Sequence, residues 1–135
     1  MKKMIVSAIL LLVIFNYSKT QENEPENITC KQTFELIQKH SNDTDFVILD
    51  LRPESMYNEE HIKNAIYYDV FSPDFENWAD KQDRNKTYLL YCNIGNRSGI
   101  ALKKMKEMGF KNLYHMYEGI REWKNQGYET VTREK

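Results

Sequence analysis

The residues best placed to do chemistry are Cys92-Asn93-Ile94-Gly95-Asn96-Arg97-Ser98. They follow the apolar run Thr87 to Tyr91, which reads as a buried strand, and precede a helical pattern that runs to Met108. A thiol at the start of a tight strand-to-helix loop faces backbone N–H groups and the positive end of a helix dipole. That setting favours the thiolate over the thiol and holds an anion beside the sulfur. Gly95 permits the backbone angles that such curvature needs. Asn93 and Asn96 fall on the rim, and Ile94 at the tip makes the entrance partly apolar. Arg97 has two readings, a grip on an anionic donor or an outward clamp onto Asp50.

The elements around the loop read as an alternation. Thr29 or Cys30 opens a helix carrying Phe34 and Ile37 and ending near His40, and Phe46 to Leu49 is a continuous apolar strand. Pro53 starts a helix to about Glu60, Ala65 to Val70 is extended, and a short helix holds Phe75 and Trp78. After the Cys92 loop come a helix with Ala101, Met105 and Met108 on its apolar stripe, a left-handed stop at Gly109, and a strand from Asn112 to Met116. Ile120 and Trp123 anchor a last helix, closed by Gly127. Strands alternating with helices imply an α/β fold: a mostly parallel sheet with helices on both faces. In such sheets ligands sit beyond the carboxyl ends of strands, which brings Asp50 and Cys92 to one edge.

The chain has 135 residues and a net charge of −1, with basic residues interleaved among acids rather than massed. This argues for one domain and against nucleic acid as a partner. Lys103, Lys104 and Lys106 read as a solvated helix face. Two cysteines and the scattered His40, His61 and His115 make no ligand set at zinc-like spacing, so no metal and no cofactor are expected. At the N-terminus, Lys2-Lys3 precede an apolar run from Met4 to Phe15 whose only polar member is Ser7. Twelve helical residues rise about 18 Å, too short for a bilayer core of about 30 Å, and the pattern is that of a secretory signal. Residues 1–20 are therefore expected to be a signal peptide, or alternatively a short membrane anchor, with 21–27 a polar linker and 28–135 the folded domain. The expected location is periplasmic or secreted. In an oxidising compartment Cys30 and Cys92 can be either a bridge or two free thiols.

The Cys-x-x-Gly-x-Arg-Ser loop resembles the active-site loop of single-domain rhodaneses, sulfurtransferases that carry sulfur on a cysteine persulfide. The resemblance runs from Ile28 to Val131. Asp50-Leu51-Arg52 is similar to the family's Asp-Val-Arg, in which the aspartate braces the active-site region and the arginine pairs with a carboxylate on the next helix, here Glu59 or Glu60. Glu60-His61-Ile62-Lys63-Asn64-Ala65-Ile66 resembles Gly-His-Ile-Pro-Gly-Ala-Ile. Asn64 stands in for a glycine because asparagine tolerates left-handed angles, and Glu60 in place of the other suggests an altered turn. The resemblance gives His61 a packing role rather than a catalytic one. Gly109-Phe110 and Gly119-Ile120-Arg121-Glu122-Trp123 match the family's closing segments, with Glu118 where the first of two glycines stands.

The resemblance implies a three-layer fold on a five-stranded sheet. It also implies transfer of a sulfane sulfur, from thiosulfate or a persulfide to a thiol or cyanide, through Cys92. Both steps are displacements at sulfur, so a base beside Cys92 is not required. Asn93 to Ser98 would cradle the negative charge, with Asp50, Arg52 and His61 in support. The partners are then a small sulfur donor and acceptor, or a protein acceptor, and the chain is expected to be a monomer. Two other readings are open. One is a non-catalytic protein-binding or sulfur-relay module. The other, a cysteine-dependent phosphatase or arsenate reductase, needs Cys-x5-Arg; here that position is Ser98 and the arginine comes one place early.

Overall fold

The computed structural model describes residues 26–133. The expected signal or anchor over 1–20 lies outside the described residues. Among these no helix is long and apolar enough to cross a membrane.

Five strands make one parallel sheet in the order β1-β5-β4-β2-β3. They are β1 (Glu26–Ile28), β2 (Phe46–Asp50), β3 (Ile66–Tyr67), β4 (Thr87–Tyr91) and β5 (Asn112–Met116). The helices are α1 (Cys30–Lys39), α2 (Glu54–Glu59), α3 (Phe75–Asp80), α4 (Asn96–Glu107) and α5 (Gly119–Asn125). β4 is central, which is why Tyr88, Leu89, Leu90 and Tyr91 are all buried and its sequence shows no alternation. Successive residues feed opposite layers. Leu49, Tyr88, Leu90 and Leu113 pack with Phe75 and Ala79 of α3 and Ala101 and Met105 of α4. Ile48, Leu89, Tyr91 and Met116 pack on the other side with Cys30 of α1 and Ile120 and Trp123 of α5.

Local chemistry sets the helix ends. Thr29 and Gln32 form a reciprocal capping box at the start of α1. α4 stops at Gly109, whose φ of 88° is left-handed as expected. Asn64 also takes a left-handed φ, 67°. Glu60 has extended backbone, φ −165°, a conformation that does not require glycine.

Two boundaries differ from the sequence reading. Glu26 and Asn27, expected in a linker, pair with Tyr114 and His115 in a strand the sequence reading did not expect, so among the described residues the folded domain already includes Glu26 rather than starting at Ile28. A three-residue polar edge strand is held by its backbone and shows no apolar alternation to read. β3 covers only Ile66–Tyr67 of the expected Ala65–Val70. Beyond it the chain keeps single bonds, from Tyr68 N–H to the Asp50 carbonyl and from Val70 N–H to the Leu51 carbonyl, because β2 has ended.

Candidate active site around Cys92

Cys92 leaves β4 at the carboxyl edge, and Gly95, with φ 96°, turns the chain into α4. The first bond of α4 runs from Gly99 N–H to the Gly95 carbonyl. The N–H groups of Asn96, Arg97 and Ser98 thus belong to the helix start, where no carbonyl of the helix itself can accept them. Two donors address the sulfur. Gly95 N–H lies 3.2 Å from Cys92 Sγ and the Ser98 hydroxyl 3.3 Å. Ser98 is itself fully buried.

The loop is seated on the turn between β5 and α5. Ile120 N–H donates to the Cys92 carbonyl at 2.9 Å and Arg121 N–H to the Asn93 carbonyl at 3.2 Å. This contact needs a bare backbone at Gly119, where a Cβ would stand 2.1 Å from the Asn93 oxygen and φ is 77°. A Cβ on Gly95 would likewise stand 2.1 Å from the Tyr117 oxygen. The close seating leaves Cys92 only 1% exposed, so the sulfur lies on the floor of the loop, while Ile94 at the tip is 43% exposed. Asn93 is half-buried and Asn96 exposed, consistent with rim positions.

Arg97 does not make the outward clamp onto Asp50. Its guanidinium lies over the Phe71 ring, 5.4 Å from the centroid, and Nη1 is 3.9 Å from Met56 Sδ. Asp50 is unavailable to it, because Arg52 holds that carboxylate through Nε at 3.0 Å and Nη2 at 2.8 Å, with the Arg52 backbone N–H at 3.0 Å. Arg52 Nη2 also donates to the Glu60 carbonyl at 2.7 Å. The expected partner was a carboxylate of Glu59 or Glu60, but the Glu60 side chain pairs with Lys124. Burial works against the charged Arg52, yet the bonds to Asp50 prevail and raise its pKa. Tyr91 closes this cluster, its hydroxyl accepting from Ile62 N–H at 3.1 Å. Burial first, and then Asp50, push the Tyr91 pKa far up.

Asp50 and Cys92 do share the carboxyl edge, but the sheet sends them to opposite faces. The Asp50 cluster sits with Tyr91 and Ile62 on the α1–α5 side, whereas Cys92 packs on the α4 side. Asp50 and Arg52 are thus a clamp between the segments after β2 and after α2. His61 is stacked on Tyr57 at 3.8 Å, its Nδ1 2.8 Å from the Tyr57 carbonyl, and its backbone bridges to Val131. That is a packing position.

Three site features escaped the sequence reading. His115 Nε2 is 2.7 Å from Ser98 Oγ, and His115 Nδ1 is 2.8 Å from Asn27 Oδ1. Burial holds the His115 pKa below its usual value, against the opposing influence of the Gly95 carbonyl. Glu118, the departure from the paired glycines, accepts from Cys30 N–H at 2.6 Å and so ties α1 to the loop's seat. Gly119 was legible only as an aid to packing; its closest neighbour is the loop itself. The sole available signal was a histidine between the aromatic and apolar residues of a strand, Tyr114 and Met116.

A parallel α/β sheet that folds a strand-to-helix loop around one buried cysteine defines a cysteine-loop α/β domain. Comparison with known proteins places it further. Residues 33–126 match the model of the rhodanese-like domain, and the chain belongs to that family. It is 32% identical over 99 residues to the thiosulfate sulfurtransferase GlpE of Coxiella burnetii, covering 73% of this chain and 87% of that protein. It is 30% identical over 86 residues to YrkF of Bacillus subtilis, named as a sulfur carrier, covering 64% of this chain and 45% of that one. A rhodanese-related protein of Thermoplasma volcanium superposes with a TM-score of 0.66 at 26% identity, over 80% of this chain and 99% of the other. The five-stranded parallel sheet with helices on both faces is the rhodanese fold.

Proposed function

We propose that the protein is a sulfurtransferase that moves a sulfane sulfur through a persulfide on Cys92. The observation that carries this is the pair of donors, Gly95 N–H and the Ser98 hydroxyl, aimed at Sγ from within a loop of short reach. A Cys92 thiolate attacks the outer sulfur of a thiosulfate-like donor. The S–S bond to the sulfonate breaks and sulfite leaves with its electron pair. The new persulfide's charge is met by the loop donors and the start of α4. A thiol or cyanide then attacks the terminal sulfur, and Cys92 departs as the thiolate it was. No cofactor enters the cycle.

The spacing of Arg97, one place short of Cys-x5-Arg, weighs against the phosphatase reading, and its guanidinium rests on Phe71. Similarity to YrkF supports a variant in which the acceptor is a protein thiol rather than a small molecule. Export by the segment 1–20 remains part of the proposal, and it would place the reaction outside the cytoplasm.

The test is transfer from thiosulfate to cyanide, read as thiocyanate, alongside intact mass after incubation with thiosulfate. The expected result is thiocyanate from the wild type, none from Cys92→Ala, and a gain of one sulfur atom on Cys92 that a thiol removes. No sulfur gain on Cys92 with any sulfane donor refutes the reading in favour of a binding module.

A further inference from the structure

Cys92 stands at one end of a line of polar groups drawn from three elements. Ser98 of α4 is 3.3 Å from Sγ, His115 of β5 is 2.7 Å from Ser98 Oγ, and Asn27 of β1 is 2.8 Å from the far nitrogen of His115. We propose that His115 is the proton acceptor for Cys92, acting through the Ser98 hydroxyl, with Asn27 holding the imidazole in the receptive tautomer. His115 touches no substrate and is a positioning residue. The relay rests on the sulfurtransferase reading for its purpose, though it can be detected without any sulfur transfer.

The protons count out. In the thiol form His115 Nδ1–H donates to Asn27 Oδ1, bare Nε2 accepts from the Ser98 hydroxyl, and Ser98 Oγ accepts from Cys92 S–H. On ionisation the thiol proton passes to Ser98 Oγ as the Ser98 proton passes to Nε2. The S–H bond breaks, its electron pair stays on sulfur, and an N–H bond forms. The thiolate then accepts from Ser98, and the imidazolium donates to Ser98 and Asn27. Every hydrogen bond in the line survives.

Burial supplies the need. With Cys92 only 1% exposed, a thiolate there with no counter-charge is disfavoured. The imidazole is disfavoured as a lone cation for the same reason, as its lowered pKa shows. Formed together across the Ser98 hydroxyl, the two opposite charges offset each other. Around the imidazole, β1 brings Asn27, α4 brings Ser98 and Gly99, the loop brings the Gly95 carbonyl, and β4 brings its register partner Leu90. Cys92, reached through Ser98, is the titratable group in that set.

The experiment follows alkylation of Cys92 by iodoacetamide, mapped by mass, from acid to alkaline pH in the full chain. Wild type is compared with His115→Gln, which keeps a hydrogen-bonding side chain but takes no proton, and with Ser98→Ala and Asn27→Ala. Near neutral pH His115→Gln and Ser98→Ala are each expected to slow alkylation about tenfold, with the double variant no slower, and Asn27→Ala about threefold. Thermal melts identify any variant that has unfolded. Should His115→Gln unfold, nitrogen NMR of labelled histidine decides the matter on folded proteins: His115 is expected to be protonated in the wild type and neutral in Cys92→Ala at the same pH. A His115→Gln profile that superimposes on wild type, or a His115 protonation state indifferent to Cys92, overturns the relay. A shifted profile without thiocyanate formation keeps the relay and removes the sulfurtransferase reading; thiocyanate formation with an unshifted profile does the reverse.

Discussion

The two cysteines form a controlled comparison within one molecule. Both are free, both are buried, and both stand where a helix begins beyond the carboxyl edge of the sheet, Cys30 as the first residue of α1 and Cys92 three residues before Gly95 caps α4. A helix dipole acting alone would activate both. Cys30 is instead pushed up to about 12, first by burial and then by the carboxylates of Glu118 and Glu122. Its Sγ faces a carbonyl oxygen, that of Gly119, at 3.8 Å, an arrangement that suits the protonated thiol. Cys92 faces donors, the Gly95 N–H and the Ser98 hydroxyl. At Cys30 burial and the neighbouring carboxylates therefore outweigh the helix end, whereas at Cys92 the nearest polar groups are donors.

The sharpest way to break this comparison is to exchange each thiol in turn. Cys92→Ala is expected to abolish thiocyanate formation with a stability change of only about 1 kcal/mol, while Cys30→Ala keeps the activity. Equal losses in the two variants would mean that the cysteines act together. Next in size is Gly119→Ala, since the added methyl meets the Asn93 oxygen at a backbone angle only glycine tolerates well. It is expected to cost about 3 kcal/mol of stability by denaturant titration and to slow transfer about a hundredfold through displacement of the loop. Wild-type kinetics in that variant would show that the loop does not depend on its seat.

A smaller effect is expected from Glu118→Gln. Removing that charge relieves one cause of the raised Cys30 pKa and leaves burial in place, so alkylation of Cys30 in mildly alkaline solution should rise about threefold. An unchanged rate would assign the silence of Cys30 to burial alone. The smallest effect concerns His115 in the Cys92→Ala chain, where no thiolate faces the imidazole. Its folded pKa lies below the ordinary 6.5 because burial disfavours the cation. The unfolded chain then takes up a proton before the folded one, so stability is full above about pH 6.5 and is lost as pH falls through the folded value. The slope should not exceed about 1.4 kcal/mol per pH unit and should vanish when His115→Gln is added. A slope that persists in the double variant belongs to another group.

Much of the architecture was legible from local pattern. The central strand Thr87–Tyr91, the stripe of Ala101 and Met105, and the stops at Gly109 and Gly127 follow from burial periodicity and backbone preference, which act over a few residues. Asn64 as a left-handed substitute for glycine was legible for the same reason. The site was half legible. Cys92, Gly95 and Ser98 announce themselves because strand, turn and helix start are contiguous in the chain. Arg97, Arg52 and His115 did not, because each partner is remote or lies on a face chosen by the pleat. Arg52 is the plainest case: its carboxylate is two residues back, at Asp50, rather than on the following helix.

The order of residues by itself determined that a cysteine would meet the start of a helix at the edge of a parallel sheet, since that outcome needs only short-range preferences and a buried central strand. Tertiary structure decided what surrounds the sulfur. Strand order set β1 beside β5 and so delivered Asn27 to His115, and the alternation of side chains turned His115 toward Ser98 while sending Asp50 to the opposite layer. Those pairings join residues 88 and 17 positions apart, distances over which no local preference acts and only the packing of the whole sheet can choose.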